Sequence, residues 1–358
     1  MKATAKLQQL GQSLWLDNIT REMLDSGQLQ RYVDEFSVTG LTSNPSIFDK
    51  AIASGAYDDG IHHKADEGVD RETIFFELAI EDLRRAADLF APIHDRTAGV
   101  DGWVSLEVSP LLADDTASTV RAAASLHARA ERKNLFIKIP GTEAGLPAVE
   151  EAIFAGVPVN ITLLFSREQY LATADAYMRG IERRIRAGLD PDVASVASVF
   201  MSRWDAAVLD QVPERLRGRL ALAVGLKTYQ AYRQVMNSER WQRLANAGAR
   251  VQRLLWASTS TKDPKSPDTL YVEGLSAPDT INTMPESTLL ALEDHGRVAE
   301  PMRADGGDAD ATLAQFESVG IQIDALAATL QSDGARKFVQ AWEDLLSRID
   351  DHVALVRA

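Results

Sequence analysis

Eight short runs of apolar, often β-branched residues recur along the 358-residue chain, and few folds accommodate such a repetition. The runs cover residues 13–17, 38–42, 103–108, 135–139, 157–162, 193–201, 253–258 and 280–284. The segments between them have apolar residues at helical spacing, as at Ile74, Leu78 and Phe75. Strands that alternate with helices predict right-handed βαβ units and a parallel sheet. Eight such strands predict an α/β fold, a closed (β/α)8 TIM barrel.

An open, doubly wound parallel sheet is the structural alternative to a barrel. Open sheets of that kind usually hold phosphates in glycine-rich turns, but the chain has neither a GxGxxG nor a GxxxxGK[ST] motif. Three connections are much longer than the others and have mainly helical character. We therefore expect one barrel domain over residues 1–358, with helical insertions at about 45–102 and 203–251 and a helical C-terminal tail at about 285–358.

Composition narrows the functions open to the chain. Its formal net charge of −14 argues against non-specific binding to nucleic acid or anionic lipid, because both need clustered Lys and Arg. The absence of cysteine excludes disulfides and thiolate metal ligands. No apolar stretch is typical of a signal peptide or a membrane span, so we expect a cytoplasmic protein. An anionic substrate would need a local basic pocket.

A lysine interrupts the fourth run, NLFIKIPGT, where Lys138 stands between Ile137 and Ile139. An ammonium removed from water is costly unless it is paired, reaches an edge, or becomes neutral. A neutral amine is a nucleophile that attacks carbonyls to form a Schiff base, whose nitrogen then accepts electrons from a breaking C–C bond. A close contact with Glu107 would instead keep Lys138 charged, and the sequence leaves both possibilities open.

Polar side chains collect at the carboxyl ends of these runs, where barrel enzymes place their chemistry. They are Asp17, Asn44, Ser105, Glu107, Lys138, Asn160, Thr162 and Ser198. Each has a structural explanation when taken alone: Asn44 and Asp17 can cap helices, and Glu107 can neutralise Lys138. Six strands that independently place a costly polar group at one end of the barrel favour an active site instead.

Other candidate sites have less support. His62 and His63 lie in a polar stretch and lack the spacing with a third ligand that zinc requires. The carboxylates at 305–310 lack the register of a calcium loop. We expect no metal site.

Eight stretches, in order along nearly the whole chain, read SLWLDNI, GLTSNPSIFDKAI, VSLEVSP, NLFIKIPGT, GVPVNITLLFS, ASVFMSRWD, LWASTSTKDP and INTMP. Together they resemble the transaldolases, the Schiff-base aldolase-type enzymes of the pentose phosphate pathway. Among transaldolases, the chain most resembles the longer bacterial type. The resemblance implies transfer of dihydroxyacetone from fructose 6-phosphate or sedoheptulose 7-phosphate to erythrose 4-phosphate or glyceraldehyde 3-phosphate. We expect a monomer or a homodimer, and the sequence does not distinguish between them.

The resemblance carries roles to particular residues. Lys138, in the IKIP motif, would form the Schiff base, and Asp17, in WLDNI, would be the acid and base for C–C cleavage. Glu107 and Thr162 would handle the water and protons of imine formation. No metal or organic cofactor is implied, because the lysine itself supplies the electron sink.

Other positions would bind the substrate. Asn44 and Asn160 match positions that hold substrate hydroxyls, and Arg203, five residues after Ser198, matches the spacing of a phosphate-binding pair.

One stretch departs from the family pattern. Many transaldolases read GASFRN after the seventh strand, whereas this chain reads WASTSTKDP. Ser258, Ser260 and Lys262 are the candidates to replace the missing arginine. A lysine is a point charge without the planar fork of a guanidinium, so the phosphate pose is expected to differ.

Three other functions remain open. An aldolase on the same scaffold would cleave or form fructose 6-phosphate without transfer to an acceptor. A glycosidase would use Asp17 and Glu107 as its two carboxylates, which leaves Lys138 without a role. A non-catalytic barrel would only bind sugar phosphates.

Overall fold

A computed structural model of the chain describes residues 2–298 and 300–357. Eight parallel strands form a single sheet in the order β2-β1-β8-β7-β6-β5-β4-β3. The strands are β1 Ser13–Asp17, β2 Val38–Thr42, β3 Val104–Glu107, β4 Leu135–Pro140, β5 Val159–Leu164, β6 Ser195–Phe200, β7 Gln252–Ala257 and β8 Thr280–Met284. Each lies on one of the eight predicted runs.

The two end strands of this order meet and close the ring. The Leu41 N–H donates to the carbonyl of Trp103 and the Gly102 N–H to the carbonyl of Thr39, both at 3.0 Å. The sheet is therefore a closed barrel, which confirms the predicted (β/α)8 fold and excludes the open doubly wound sheet.

At least one α-helix follows each strand along the chain. They are α1 Ala3–Leu10, α2 Arg21–Asp25, α3 Gln28–Phe36, α4 Pro45–Ile52, α5 Asp58–Asp66, α6 Arg71–Arg96, α7 Thr116–Ala130, α8 Gly145–Ala155, α9 Arg167–Arg186, α10 Ser202–Val208, α11 Leu220–Met236, α12 Glu239–Asn246, α13 Leu270–Gly274, α14 Glu286–His295, α15 Ala309–Ser318 and α16 Ile323–Arg357. Several begin at a side-chain cap: Asn44 accepts from the Ile47 N–H, and Ser166 forms a capping box with Gln169. Within the described residues, no helix is long and apolar enough to cross a membrane.

Aromatic side chains fill the amino-terminal half of the barrel. The rings of Trp103 and Phe136 stack with their centroids 4.1 Å apart, and Trp15 lies 6.3 Å from Phe136. Below them, the guanidinium of Arg253 donates to Ser13 Oγ and to the carbonyl of Thr280, both at 2.8 Å. These side chains pack the interior of the barrel, so space for a ligand lies at its two ends.

The last helix, α16, lies across the carboxyl end of the barrel. Its Trp342 packs edge-on against Phe75 of α6, with ring centroids 5.0 Å apart. Further along, Arg348 donates to Asp49 of α4 at 2.6 Å. The long connection after β2 therefore serves as the platform on which the C-terminal helix rests.

Candidate active site

Lys138 lies on β4 with its side chain inside the barrel and only 6% of the residue exposed. Its ammonium donates to Glu107 Oε2 at 3.1 Å and to the carbonyl of Ser43 at 2.9 Å. The lysine is thus paired within the barrel and does not reach an edge.

The register of β3 against β4 sets this pair, because Glu107 and Lys138 are direct neighbours across the two strands. Burial raises the pKa of the Glu107 carboxyl, and the positive charge of Lys138 opposes that rise. A carboxylate with a raised pKa is a better acceptor for a proton from Nζ. Transfer of that proton would leave a neutral pair and a nucleophilic amine.

A second carboxylate, Asp17, ends β1 on the wall of the same pocket. Thr42 Oγ1 donates to Asp17 Oδ1 at 2.7 Å and contacts Thr283 Oγ1 at 2.7 Å. Surrounding protein atoms raise the pKa of Asp17, while Lys138 and the Thr42 hydroxyl oppose that rise. Asp17 can therefore exchange a proton nearer neutral pH than a free aspartate does.

Neighbouring strands β5 and β6 contribute an amide and two hydroxyls. Ser198 Oγ donates to Asn160 Oδ1 at 2.6 Å, and Asn160 Nδ2 donates to Ser105 Oγ at 3.2 Å. Thr162 Oγ1 is buried and has no hydrogen-bond partner in the part of the chain described. Its hydroxyl is thus available to a water or a substrate atom in the pocket.

The backbone next to Thr162 is irregular. Leu163 has φ of 60°, and the pairing of β5 with β6 shifts register between Ile161 and Leu164. A non-glycine residue in the left-handed region is strained, and such strain concentrates at functional sites. Ser258, directly after β7, has φ of 53° and lies in the same pocket.

Two cations lie on one side of the pocket. Arg203 Nη1 is buried without a hydrogen-bond partner among the described residues, and burial lowers the pKa of its guanidinium. Lys262 Nζ donates to Ser260 Oγ at 2.7 Å. Burial, and then the positive charge of Arg203, lower the pKa of Lys262. An anion between these groups would satisfy the buried donor and relieve their repulsion, so this side fits a phosphate.

The pocket has a volume of about 160 Å³ and brings together nearly all of the predicted site residues. Those that line it are Asp17, Asn44, Lys138, Asn160, Thr162, Ser198, Arg203, Ser258, Ser260 and Lys262. Glu107 lies behind Lys138. Asn44 has both of the roles that the sequence suggested, because it caps α4 and also lines the pocket.

Further lining residues were not predicted: Thr42, Phe200, Ala257, Thr283, Pro285 and Phe338. Thr42 ends its strand as Asp17 does, so the rule that identified Asp17 could also have found it. Phe338 has no such signal, because it comes from α16. Its ring centroid lies 5.9 Å from Lys138 Nζ and 5.9 Å from Arg203 Cζ, so it covers the amine and the guanidinium.

A larger cavity, about 730 Å³, lies at the amino-terminal mouth of the barrel. Arg253 and Asp101 form part of its lining, and no lysine does. No group of three or more potential metal ligands occurs among the described residues. Of these two cavities, only the smaller one at the carboxyl end is lined by lysines, Lys138 and Lys262.

Comparison with known proteins gives one family. The sequence profile of the transaldolase/fructose-6-phosphate aldolase family matches residues 14–349. A transaldolase from Thermobifida fusca (strain YX) is 46% identical over 97% of this chain and 98% of its own length. A transaldolase from Parafrankia sp. (strain EAN1pec) is 44% identical over 98% of both chains. Transaldolase 2 from Nostoc punctiforme is 40% identical over 98% of this chain and 97% of its own.

Proposed function

This chain belongs to the transaldolase/fructose-6-phosphate aldolase family, and we propose that it transfers a dihydroxyacetone unit between sugar phosphates through a Schiff base on Lys138. One observation carries the proposal: the buried amine of Lys138 lies 3.1 Å from Glu107 in a pocket shared with Asp17 and Thr162. An amine, two carboxylates and a free hydroxyl are the groups that imine formation and C–C cleavage require.

The first stage is imine formation. Glu107 accepts a proton from the ammonium, and the neutral Nζ attacks the ketone carbon of the donor. The carbonyl oxygen takes up two protons in turn through Glu107, the one accepted from the ammonium and a second that the nitrogen loses after the attack. It then leaves as water while the nitrogen forms a double bond to carbon. Thr162 Oγ1, which is buried and free to bond, holds that water as protons pass from Glu107.

The second stage is cleavage and transfer. Asp17 accepts the proton of the hydroxyl on the carbon being released. The C–C bond breaks, its electrons move to the iminium nitrogen, and an aldose phosphate leaves. The enamine that remains attacks the aldehyde of the acceptor, and Asp17 returns the proton. Water then hydrolyses the new imine and frees Lys138 for another cycle.

Charged and amide groups set the substrate class. Arg203 and Lys262, with Ser258 and Ser260 beside them, bind the phosphate of the donor and then that of the acceptor. Asn44, Asn160 and Ser198 contact the sugar hydroxyls. The donors are fructose 6-phosphate or sedoheptulose 7-phosphate, and the acceptors are glyceraldehyde 3-phosphate or erythrose 4-phosphate. Two cations in one pocket supply the local positive field that a protein of net charge −14 needs for such ligands.

The proposal extends to the domain organisation, location and assembly of this chain. Residues 1–358 act as one barrel domain in the cytoplasm, as a monomer or a homodimer. The reaction calls for no metal or organic cofactor, because the iminium nitrogen is the electron sink.

A comparison of transfer with release tests this function against the aldolase alternative. With fructose 6-phosphate and erythrose 4-phosphate, we expect formation of sedoheptulose 7-phosphate and little free dihydroxyacetone. Lys138→Met should abolish transfer. Release of dihydroxyacetone at the rate of donor consumption would instead identify an aldolase, and full activity of Lys138→Met would favour a glycosidase or another lysine-independent reaction.

A further inference from the structure

One side chain of the C-terminal helix joins the two strands that carry Lys138 and Thr162. Gln331 Nε2 donates to the carbonyl of Gly141 and to the carbonyl of Leu163, both at 3.0 Å. A single amide group thus uses its two N–H bonds to connect the carboxyl ends of β4 and β5. The contacts span 190 and 168 residues of sequence, so they are tertiary contacts made by α16.

The Leu163 carbonyl belongs to the strained residue that follows Thr162. Leu163 is 1% exposed, and its left-handed backbone interrupts the regular pairing of β5 with β6. Buried carbonyls require a partner, and Gln331 supplies one here. The contact therefore stabilises the backbone conformation that directs Thr162 into the pocket.

The Gly141 carbonyl lies three residues after Lys138. The Gly141 N–H donates to the carbonyl of Thr162 at 2.8 Å, so this segment already touches the catalytic threonine. Gln331 adds a second connection between the same two chain ends. These hydrogen bonds together hold the backbone that follows Lys138 against the backbone at Thr162 and Leu163.

Two other residues of α16 face the site at helical spacing from Gln331. Phe338 covers Lys138 and Arg203. A Cβ on Gly334 would lie 3.0 Å from Arg203 Nη1 and 2.9 Å from Leu163 Cδ2, so the helix approaches closely there. Positions 331, 334 and 338 share one face of a helix, which accounts for their joint approach to the barrel mouth.

We propose that Gln331 is a positioning residue for imine formation, which holds the Thr162 hydroxyl at a fixed distance from the Lys138 amine. This inference depends on the proposed roles of those two residues. It gives the C-terminal helix a part in the reaction besides covering the pocket, and it assigns that part to the imine step. The phosphate contacts of Arg203 and Lys262 do not depend on it.

The test replaces Gln331 with methionine, which has a similar length but no N–H donor. We expect Gln331→Met to slow formation of the borohydride-trapped adduct with fructose 6-phosphate at least tenfold, with KM changed less than twofold. Gln331→Lys, which restores donors on a long side chain, should recover a large part of the rate. Gln340→Met is the control, since Gln340 lies on the same helix and its side chain donates to Asp344 in an exposed contact.

Unchanged adduct formation in Gln331→Met would overturn the inference, even if its melting temperature fell, because a purely structural contact changes stability without changing one step. If Gln331→Met fails to fold, Gln331→Lys is compared with Gln331→Glu, which keeps the size but presents an acceptor; equal rates would also overturn it. Failure of the wild-type protein to form any adduct on Lys138 would refute the proposed function itself, so the two results remain distinct.

Discussion

Replacing Glu107 with glutamine separates two effects of this carboxylate on Lys138. The amide introduced by Glu107→Gln could still accept a hydrogen bond from Nζ, but it carries no charge and cannot take up a proton. At 3.1 Å, the attraction between the two charges is about 5 kcal/mol for an effective dielectric constant of about 20. Loss of this attraction favours the neutral, nucleophilic amine. If Glu107 only paired the charge of Lys138, Glu107→Gln would therefore react faster than the wild-type protein.

Loss of proton transfer acts in the opposite direction. A positioned general acid or base contributes about 10²- to 10⁴-fold, equivalent to about 2.7–5.4 kcal/mol of activation free energy. A neutral amine helps only the attack on the ketone, and it cannot expel water from the intermediate. We therefore expect the loss of proton transfer to dominate the effect of Glu107→Gln. The predicted result is a fall in kcat of at least about 100-fold for Glu107→Gln.

The assay is transfer from fructose 6-phosphate to erythrose 4-phosphate, with the rate of borohydride-trapped adduct measured in parallel. Glu143→Gln is the matched control, because Glu143 is exposed and its replacement changes the net charge of the protein equally. Both readouts should fall in Glu107→Gln and stay at the wild-type value in the control. An unchanged or faster rate in Glu107→Gln would refute the assignment of Glu107 as proton acceptor.

Three more predictions follow from the geometry of the pocket. Asp17→Asn should lower transfer by about 10²- to 10⁴-fold while Lys138 still forms a Schiff base. Borohydride should then trap the intact six-carbon sugar on the protein. A three-carbon adduct formed at the wild-type rate would contradict the role of Asp17 in C–C cleavage. Burial raises the pKa of both Asp17 and Glu107, so kcat should fall as the pH falls through values above the ordinary 3.8 and 4.5. A pH–rate profile whose acid limb stays at or below those ordinary values would count against it. Arg203→Lys should raise KM for fructose 6-phosphate about 10- to 100-fold, because about 1.5–3 kcal/mol of charge-assisted hydrogen bonding is lost. The KM for unphosphorylated dihydroxyacetone as a donor should not change. An equal effect on both donors would argue against a contact between Arg203 and the phosphate.

Local sequence patterns are sufficient to predict the strands. The runs at 13–17, 38–42 and 280–284 coincide with β1, β2 and β8. The fifth predicted run begins two residues before β5, because the Val157 N–H donates to the carbonyl of Ala152 and so belongs to the end of α8. Leu163 then extends the strand through an irregular backbone that no propensity anticipates.

The polar residues of the pocket are also predictable, because carboxyl ends of parallel strands share one end of a barrel. Alternation along a strand places Asp17 or Lys138 on the inner face without any knowledge of its neighbours. What alternation does not give is register across strands. The sequence offered the pairing of Glu107 with Lys138 as one possibility, and the alignment of β3 with β4 establishes it.

Contributions from α16 are beyond sequence reasoning. The spacing of Gln331, Gly334 and Phe338 predicts a helix with one buried face, but it does not say what that face contacts. Their partners lie more than a hundred residues away, on β4, β5 and α10. Such long-range contacts depend on how α16 packs on the closed barrel, so the spacing of residues along the helix does not predict them.

The most direct test of the Schiff-base mechanism is borohydride reduction of the protein in the presence of fructose 6-phosphate, followed by peptide mass mapping. We expect a three-carbon, dihydroxyacetone-derived adduct on the peptide that contains Lys138, and on no other lysine. A fully active protein with Lys138 unmodified, or with the adduct on a different lysine, would contradict this mechanism.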